Sequence, residues 1–410
     1  MAQKTKRVDN KGRKLPDGFS QRKDGRYQAR FTHKTKRFTL YDTNLSNLKI
    51  KVTDMQNALN KGMYSDKSNI TLSQWFIIWM DTYKVNLKSE TKINYYKYWN
   101  WYVADTIGKL KIKDIRRVDI IKLYNSLVLG EKKLSTGTIK YINNLVNSSL
   151  CKAVDEEIIF KNPSVNLLKE VVQTEVKTKI ALTPEQQNKF LQYVKNSSFY
   201  SRFNPMLVVL LGTGLRVGEL CALTWDCIDI QNEMISINKT LKYMRSKTDE
   251  GTHYDINSAK TRASEREVPM LHQVKEALIK QRDYQEIMGL KSNIIIRGYK
   301  DFVFTTSERN PLYPDYVNLE IKRIIKTHNS EEIKKAEKEK REAVLLPMFS
   351  PHTTRHSFAS RCYESDVQVK TTQVILGHKN IKTTLDIYTH CSVDKVKKDI
   401  NQLNKANIFA

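Results

Sequence analysis

The segment from residue 350 to residue 390 constrains the fold and chemistry of this chain more than any other part of its sequence. It reads SPHTTRHSFASRCYESDVQVKTTQVILGHKNIKTTLDIYTH. Its opening Ser-Pro predicts a helix start, because serine caps helices and proline suits their first turn. His352 and Arg355 then share one face of the first turns, while Phe358 and Ala359 form the predicted buried side. Since this end of a helix attracts phosphate, an imidazole and a guanidinium are expected to meet an anion here.

His352 and His356 are four residues apart, and such a pair could alternatively bind a metal. A zinc protease would place a glutamate directly after the first histidine, and this sequence has a threonine there. Arg355 would also put a positive charge beside the metal. We therefore expect no metal at this helix.

A second candidate phosphate ligand lies in the middle of the chain. The apolar run 206–211 is followed by Gly-Thr-Gly, a tight break that is predicted to deliver Arg216 to the start of a new helix. This is not a P-loop, because no Gly-Lys-Ser/Thr follows. Attack on a phosphodiester adds negative charge to its oxygens, and the arginine fork binds two oxygens at once. Arg216 and Arg355 are therefore the predicted phosphate clamp.

Four elements, taken in their order along the chain, resemble the signature of the tyrosine recombinase (lambda integrase) family. They are Thr213-Gly214-Leu215-Arg216-Val217-Gly218-Glu219-Leu220, His352-x-x-Arg355-His356-x-Phe358, Leu376-Gly377-His378 and Tyr388. A lone arginine is usually a solvated charge, and a lone tyrosine is usually a packing residue. As an ordered set over roughly the last half of the chain, they form a specific signal.

The resemblance implies a role for each of these residues. Tyr388 would be the nucleophile of a covalent phosphotyrosine, which keeps the bond energy and needs neither ATP nor metal, so no cofactor is expected. Its hydroxyl, with an ordinary pKa of about 10, would need its proton removed or its phenolate stabilised. His352 would be the acid/base partner and His378 a phosphate ligand. Glu219 would hold a basic neighbour in place.

The family also places a lysine on a hairpin, where it donates a proton to the leaving 5′ oxygen. Lys260, in a polar Ser-Ala-Lys-Thr loop, fits this pattern best, and Lys242 and Lys247 are weaker candidates. The alternative is that Lys260 is a surface lysine that touches the DNA backbone.

The formal net charge of +26 is spread along the chain and predicts a polyanionic partner. Nucleic acid is favoured over a membrane surface, because the sequence shows no signal peptide and no apolar run long enough to span a bilayer. The cysteines lack C-x-x-C spacing, which favours a reducing cytoplasm over a disulfide framework or a zinc site. They are Cys151, Cys221, Cys227, Cys362 and Cys391. The abundance of Lys, Asn and Ile indicates an AT-rich bacterial genome.

Residues 1–66 are predicted to form a small DNA-binding domain behind a basic tail. Asp24-Gly25 between alternating apolar residues predicts a hairpin, a third strand contains Phe38 and Leu40, and residues 45–60 read as a helix. This layout resembles the arm-binding domains of larger integrases, whose basic ribbon reads the major groove. The alternative is a charged module without sequence specificity. The candidate contacts are Arg22, Lys23, Arg26, Arg30, Lys36 and Arg37.

Residues 70–168 show helical periodicity rich in aromatic residues, which we assign to a core in preference to base-stacking platforms. The stripes are Leu72, Trp75, Phe76 and Trp79, then Tyr95, Tyr98, Trp99 and Tyr102. A helical unit in this position resembles the SAM-like core-binding domain, which would close a C-shaped clamp on duplex DNA with the catalytic domain. Lys88, Lys92 and Lys97 would make phosphate contacts. Residues 169–181 are the predicted linker.

Residues 182–410 are the predicted catalytic domain, mainly helical with a small antiparallel sheet. Strands are expected at 233–244 and 266–270 around a long polar loop, and a short strand at 302–304. The charged run 330–345 predicts a solvated helix inserted before the active-site helix. A terminal amphipathic helix from Val393 to Leu403 would dock on a neighbouring protomer or fold back on its own domain.

The sequence thus predicts a multidomain α+β protein with three parts: a sheet-plus-helix arm domain, an all-α core-binding domain and a mainly α catalytic domain. The resemblance implies a site-specific recombinase of a conjugative transposon or temperate phage, working through a four-way junction. Its partners would be duplex DNA at core and arm sites, three further copies in a homo-tetramer, and an accessory directionality factor. The alternatives are a type IB topoisomerase-like enzyme and a non-catalytic DNA-binding regulator.

Overall fold

The computed structural model describes residues 8–33, 36–60, 69–172, 174, 181–245, 252–258 and 265–388. The chain divides into two compact units, Met1–Lys177 and Thr178–Ala410. The architecture is α+β with small antiparallel sheets, as predicted. Within the described residues, none of the helices is long and apolar enough to cross a membrane.

The first unit opens with a three-stranded antiparallel sheet in the order β1-β2-β3. Its strands are β1 (Phe19–Gln21), β2 (Tyr27–His33) and β3 (Lys36–Asp42), and helix α1 (Leu45–Asn60) packs on one face. The alternating apolar residues of the strands meet α1 and form a small core: Leu15, Phe19, Tyr27, Ala29, Leu48 and Val52. The predicted hairpin, third strand and helix are all confirmed.

A helical bundle with its own core follows. It consists of α2 (Leu72–Tyr83), α3 (Ser89–Tyr102), α4 (Arg117–Leu129) and α5 (Thr136–Asp155). Both predicted aromatic stripes lie in or against this core, so their assignment to packing is confirmed. The rings of Phe76 and Trp99, for example, stack at a centroid distance of 3.8 Å.

The segment predicted as a linker begins inside this core. Leu167 and Val171 are buried, and residues 167–170 form a 3-10 helix against the bundle. The apolar face of this short helix is covered, so residues up to about 171 belong to the helical bundle.

The second unit contains α6 (Pro184–Asn196), α7 (Asn204–Thr213), α8 (Val217–Cys221), α9 (His272–Ile287), α10 (Pro314–Glu339), α11 (Pro351–Glu364), α12 (Val369–Leu376) and α13 (Ile381–Tyr388). Thr183 caps α6, with its side chain accepting from the backbone N–H of Gln186. The almost wholly apolar α7 runs through the main core of this unit.

Two small antiparallel sheets complete the second unit. One has the order β4-β5-β8, from β4 (Ile228–Asp229), β5 (Met234–Ile237) and β8 (Arg266–Pro269), and the other pairs β6 (Lys239–Arg245) with β7 (Thr252–Ser258). The predicted polar loop is therefore partly a strand, because β7 pairs with β6 along its whole length.

Two further predictions for this unit are corrected. Phe302, Val303 and Phe304 are buried but form no regular strand, since Phe302 makes only an isolated bridge to Thr224. The charged run is helical to Glu339 and mostly exposed, as predicted, but it continues α10 and is not a separate inserted helix. Arg341, just after the end of α10, forms an ion pair at 2.7 Å with Glu332 of this helix.

Candidate active site

The turn between α7 and α8 places Arg216. Gly214 follows α7 in the left-handed conformation with φ of +63°, and Arg216 is the extended N-cap residue of α8. A Cβ atom on Gly214 would lie 2.6 Å from Cδ1 of Phe358 and 2.7 Å from Cδ2 of Leu376. Glycine is thus needed here both for its backbone conformation and for the close approach of α11 and α12.

Helix α11 begins after Ser350 as predicted, and it carries Arg355 into the interior. This side chain is 2% exposed and donates to the carbonyl of Gly214 at 2.9 Å and to the carbonyl of Leu376. Burial lowers the pKa of Arg355, and the charge of Arg216 lowers it further. A phosphate beside this guanidinium would offset both effects, because a nearby anion favours the charged form.

Three arginines converge on the C-terminal end of α12. Arg266 donates to the carbonyl of Ile375 at 2.6 Å, Arg355 to that of Leu376, and Arg216 to that of Gly377 at 3.2 Å. The last carbonyls of a helix lack partners within the helix and carry its negative dipole end. Cationic donors therefore satisfy these carbonyls and bring three positive charges to the turn at residues 375–378, which we call the arginine-capped turn.

Glu219 organises two of these arginines. Its carboxylate accepts from the Arg216 guanidinium at 2.7 Å and backbone N–H at 2.9 Å, and from Arg266 at 2.8 and 3.2 Å. Burial acts to raise the pKa of Glu219, but Arg266 and then Arg216 lower it below its usual value. Glu219 is therefore an ionised carboxylate between two guanidiniums.

His378 is the last residue of the arginine-capped turn. Its Nδ1 lies 2.9 Å from Oγ1 of Thr384, a buried residue of α13. Burial, followed by the charges of Arg355 and Arg216, lowers the pKa of His378 to about 4. The imidazole is thus neutral near pH 7. Tyr388 is the last residue of the same helix, and its side chain lies outside the described part of the chain.

The structure describes only some of the remaining predicted catalytic residues. His352 is exposed on the first turn of α11, and its ring meets that of His356 edge to face at 4.7 Å. Lys260 and the alternative Lys247 lie outside the described residues, whereas Lys242 lies on β6. Among the described residues, no three His, Cys, Asp or Glu side chains are grouped as metal ligands would be.

The predicted DNA contacts of the first unit lie on two surfaces. Arg30 and Arg37 are exposed on the face of the sheet turned away from α1, and Arg22 and Arg26 flank Asp24 in the hairpin turn, where Lys23 is also exposed. Lys36 belongs to β3, but its side chain is not described.

The other three predicted contacts lie at α3. Lys88 directly precedes the helix, Lys92 lies 3.8 Å from Asp81, and the Lys97 ammonium lies 4.4 Å from the ring centre of Trp101.

Sequence reasoning missed two residues of the site. Arg266 was recognised as part of a strand but not as a partner of Glu219, and Thr384 was not singled out. The expected "basic neighbour" of Glu219 was a usable signal for Arg266, but the two residues are 47 positions apart. Nothing in the sequence around Thr384 distinguishes it from the adjacent Thr383.

Comparisons with known proteins agree with this geometry. The phage integrase family matches residues 181–395, and the N-terminal SAM-like domain of phage integrases matches residues 71–128. The transposases of Tn1545 from Streptococcus pneumoniae and of Tn916 from Enterococcus faecalis are each 28% identical over 98% of this chain and 97% of their own length. A structure of the Tn1549 transposon integrase with transposon right end DNA covers 82% of this chain and all of that chain, at 27% identity and a TM-score of 0.71.

The family match extends over more than half of the 410 residues and includes every element that surrounds the arginine-capped turn. The SAM-like match coincides with the first three helices of the bundle. By this match and by its likeness to transposon integrases, the chain belongs to the phage integrase family and is a tyrosine site-specific recombinase.

Proposed function

We propose that this recombinase cuts and rejoins the DNA ends of a mobile element through Tyr388. The observation that carries the proposal is the convergence of three guanidiniums and a neutral imidazole on the turn at residues 375–378. Such a cluster suits the oxygens of a phosphodiester, whose negative charge grows during attack. Tyr388 ends the helix that Thr384 joins to this turn.

In the proposed reaction, the Tyr388 oxygen attacks the scissile phosphorus and the bond from phosphorus to the 5′ oxygen breaks. His352 accepts the phenolic proton, and Lys260 gives a proton to the departing 5′ oxygen. The product is a 3′-phosphotyrosine and a free 5′ hydroxyl. Attack by a 5′ hydroxyl of the partner strand reverses these steps and restores the tyrosine, so the exchange consumes no external energy.

The cations bind and orient the phosphate in this scheme. Arg216 and Arg355 hold the two non-bridging oxygens, since guanidinium hydrogen bonds to an oxyanion are charge-assisted. With Nδ1 of His378 accepting from the Thr384 hydroxyl, the neutral ring would carry its proton on Nε2. That N–H would then donate to the same phosphate, which is the predicted role of His378.

The proposed substrate is duplex DNA within an assembly of four copies, in the bacterial cytoplasm. The Tn1549 integrase, 27% identical to this chain, binds transposon right end DNA. A formal charge of +26 supports a polyanionic partner for this chain as well. We propose further that the exposed face of the first sheet binds arm sites, that α3 contacts core sites, and that an accessory factor sets the direction of recombination.

Covalent trapping tests the proposal. The protein is incubated with nicked suicide duplexes carrying element ends, in the presence of EDTA, and protease-sensitive DNA adducts are sought on denaturing gels. We expect an adduct with wild type but not with Tyr388→Phe. Tyr284→Phe on α9, which removes a hydroxyl elsewhere in the same unit, should retain the adduct.

The same gels distinguish the alternatives. A protein that binds these duplexes with a steep salt dependence but forms no adduct would be a DNA-binding regulator. An adduct accompanied by relaxation of supercoiled plasmid, without strand exchange between duplexes, would indicate a topoisomerase-like enzyme. Adduct formation by Tyr388→Phe would contradict the assigned nucleophile.

A further inference from the structure

We propose that Arg266 is a positioning residue for the phosphate clamp: it shares Glu219 with Arg216, so that the carboxylate orients Arg216 without neutralising it. The inference rests on the proposed function, because it assumes that Arg216 binds the scissile phosphate. Arg266 would act through Glu219 and through the turn at residues 375–378, without touching DNA.

The surroundings of Arg266 exclude a direct contact with substrate. All three of its guanidinium nitrogens donate to protein groups, on Glu219 and Ile375, and its side chain is 4% exposed. Its backbone is held in β8, where Arg266 pairs with Ile237 of β5. A buried guanidinium on a strand within a paired sheet is a fixed donor, and its hydrogen bonds point to protein groups.

Arg266 joins two segments that carry clamp residues. Two of its nitrogens donate to Glu219 of α8, at 2.8 and 3.2 Å, and Nε donates to the carbonyl of Ile375 at 2.6 Å. It also packs against the next turn, since a Cβ on Gly377 would lie 3.1 Å from both Cδ and Nη1 of Arg266. One side chain therefore sets the distance between Arg216 and the segment that leads to His378.

The charges add a second effect that packing alone would not give. Glu219 is 8% exposed and ionised, and it lies between two guanidiniums. One negative charge against two positive charges leaves Arg216 with an excess for the phosphate. Without Arg266, Arg216 alone would have to balance this buried carboxylate, and the attraction of Arg216 for DNA oxygens would fall.

This charge argument makes a prediction that distinguishes it from a purely structural role. Arg266→Gln leaves the Glu219 carboxylate with Arg216 alone and should slow cleavage. Adding Glu219→Gln removes the uncompensated charge, so the double variant should cleave faster than Arg266→Gln. If Arg266 only filled space, the second substitution would remove further contacts and slow cleavage again.

The experiment measures single-turnover adduct formation on suicide duplexes for wild type, Arg266→Gln, Arg266→Lys, Glu219→Gln and the double variant. Equilibrium DNA binding and thermal unfolding are recorded for each. We expect Arg266→Gln to slow cleavage by about 10- to 100-fold, by analogy with the loss of a hydrogen-bond partner of a metal ligand. DNA affinity should stay nearly constant, and Arg266→Lys, which keeps the charge, should lose less. Arg297→Gln, which breaks an exposed ion pair with Asp255 in the same unit, is the matched control.

Each outcome decides one question. Wild-type cleavage by Arg266→Gln, or a double variant slower than this single variant, would overturn the inference. Should Arg266→Gln fail to fold, the double variant is compared with Glu219→Gln: once the carboxylate is neutral, losing Arg266 should change cleavage little, and a large further loss would overturn the charge argument. Failure of wild type itself to form an adduct would count against the proposed function, whereas a wild-type adduct with an unaffected Arg266 series would count against this inference alone.

Discussion

His378 shows how burial sets the charge of a single residue in this site. The imidazole is packed at the arginine-capped turn and bonded to Thr384. Burial and the nearby guanidiniums of Arg355 and Arg216 disfavour a further positive charge, so its pKa falls to about 4. The ring is therefore a neutral hydrogen-bonding group at neutral pH.

This shift couples His378 to the pH dependence of folding. The pKa of an unfolded histidine is about 6.5, so between pH 6.5 and 4 the unfolded chain binds a proton that the native site does not. The stabilisation is therefore full above about pH 6.5 and is lost as the pH falls towards 4. We expect the free energy of unfolding of wild type to fall more steeply over this range than that of His378→Gln, as measured by urea denaturation.

His272→Gln is the matched control for this measurement. His272 is exposed at the start of α9, with 77% of its side chain accessible. This variant should follow the wild-type pH dependence closely. Parallel curves for wild type and His378→Gln would contradict a depressed pKa at His378.

At the scale of secondary-structure elements, the glycine between α7 and α8 allows other helices to pack closely against this turn. Gly214 combines a left-handed backbone with contact to α11 and α12, whereas Gly289 has nearly the same φ of +62° but open space around it, since a Cβ there would meet no atom within 4 Å. Alanine substitutions at the two residues therefore distinguish the cost of backbone strain from the cost of crowding.

Gly289→Ala should lower the free energy of unfolding by about 1 kcal/mol, which is the strain of a left-handed alanine. Gly214→Ala should lower it by about 1–3 kcal/mol more, because the methyl group would overlap Phe358 and Leu376. It should also slow cleavage, since Arg355 bonds to the Gly214 carbonyl. Urea denaturation and adduct formation check both effects, and equal losses for the two variants would refute the crowding argument.

Asn329 of α10 pairs with the connection from α10 to α11. The amide of Asn329 donates to the carbonyl of Leu346 at 2.8 Å and accepts from its N–H at 2.9 Å, as a backbone partner would. Leu346 is 3% exposed, so these backbone groups lack ready access to water. The pairing holds the segment that leads into α11.

Asn329→Ala should therefore lower the free energy of unfolding by about 1–3 kcal/mol, the usual penalty for a buried polar group left without its partner. The neighbouring Ser330→Ala, at an exposed position of the same helix, should change stability by less than about 0.5 kcal/mol. Thermal or urea unfolding of both variants checks this. Equal stability would show that the segment before α11 does not need this pairing.

At the scale of the whole molecule, DNA binding depends on where the positive charges lie as well as on the net charge of +26. Arg30 and Arg37 lie on an exposed sheet face, whereas the lysines near the end of α10 are mixed with glutamates. If DNA binds the sheet face, charges there release counterions from DNA and those on α10 do not.

Arg37→Gln should therefore reduce the slope of log affinity against log salt by about 0.9, the value for one phosphate contact. Lys334→Gln on α10 removes the same charge and should leave the slope unchanged. Fluorescence anisotropy with a duplex at several salt concentrations measures both. Identical slopes for the two variants would mean that net charge alone governs binding.

Local chemistry in the sequence by itself determined much of this protein. Alternation of apolar residues predicted the first sheet, a serine cap and proline predicted the start of α11, and a Gly-Thr-Gly break predicted where Arg216 lies. The ordered motif also identified the family. These features depend on residues that are close together in the sequence. Their effects on backbone conformation can therefore be predicted from the sequence alone.

Only the tertiary structure decided which groups meet. Arg266 reaches Ile375 across 109 positions and Arg355 reaches Gly214 across 141, and no local pattern encodes such pairs. For the same reason Phe302 is buried without a regular strand, and the charged run continues α10. Burial makes the unpaired carbonyls at the end of α12 and the carboxylate of Glu219 costly, so the fold brings three distant arginines to them.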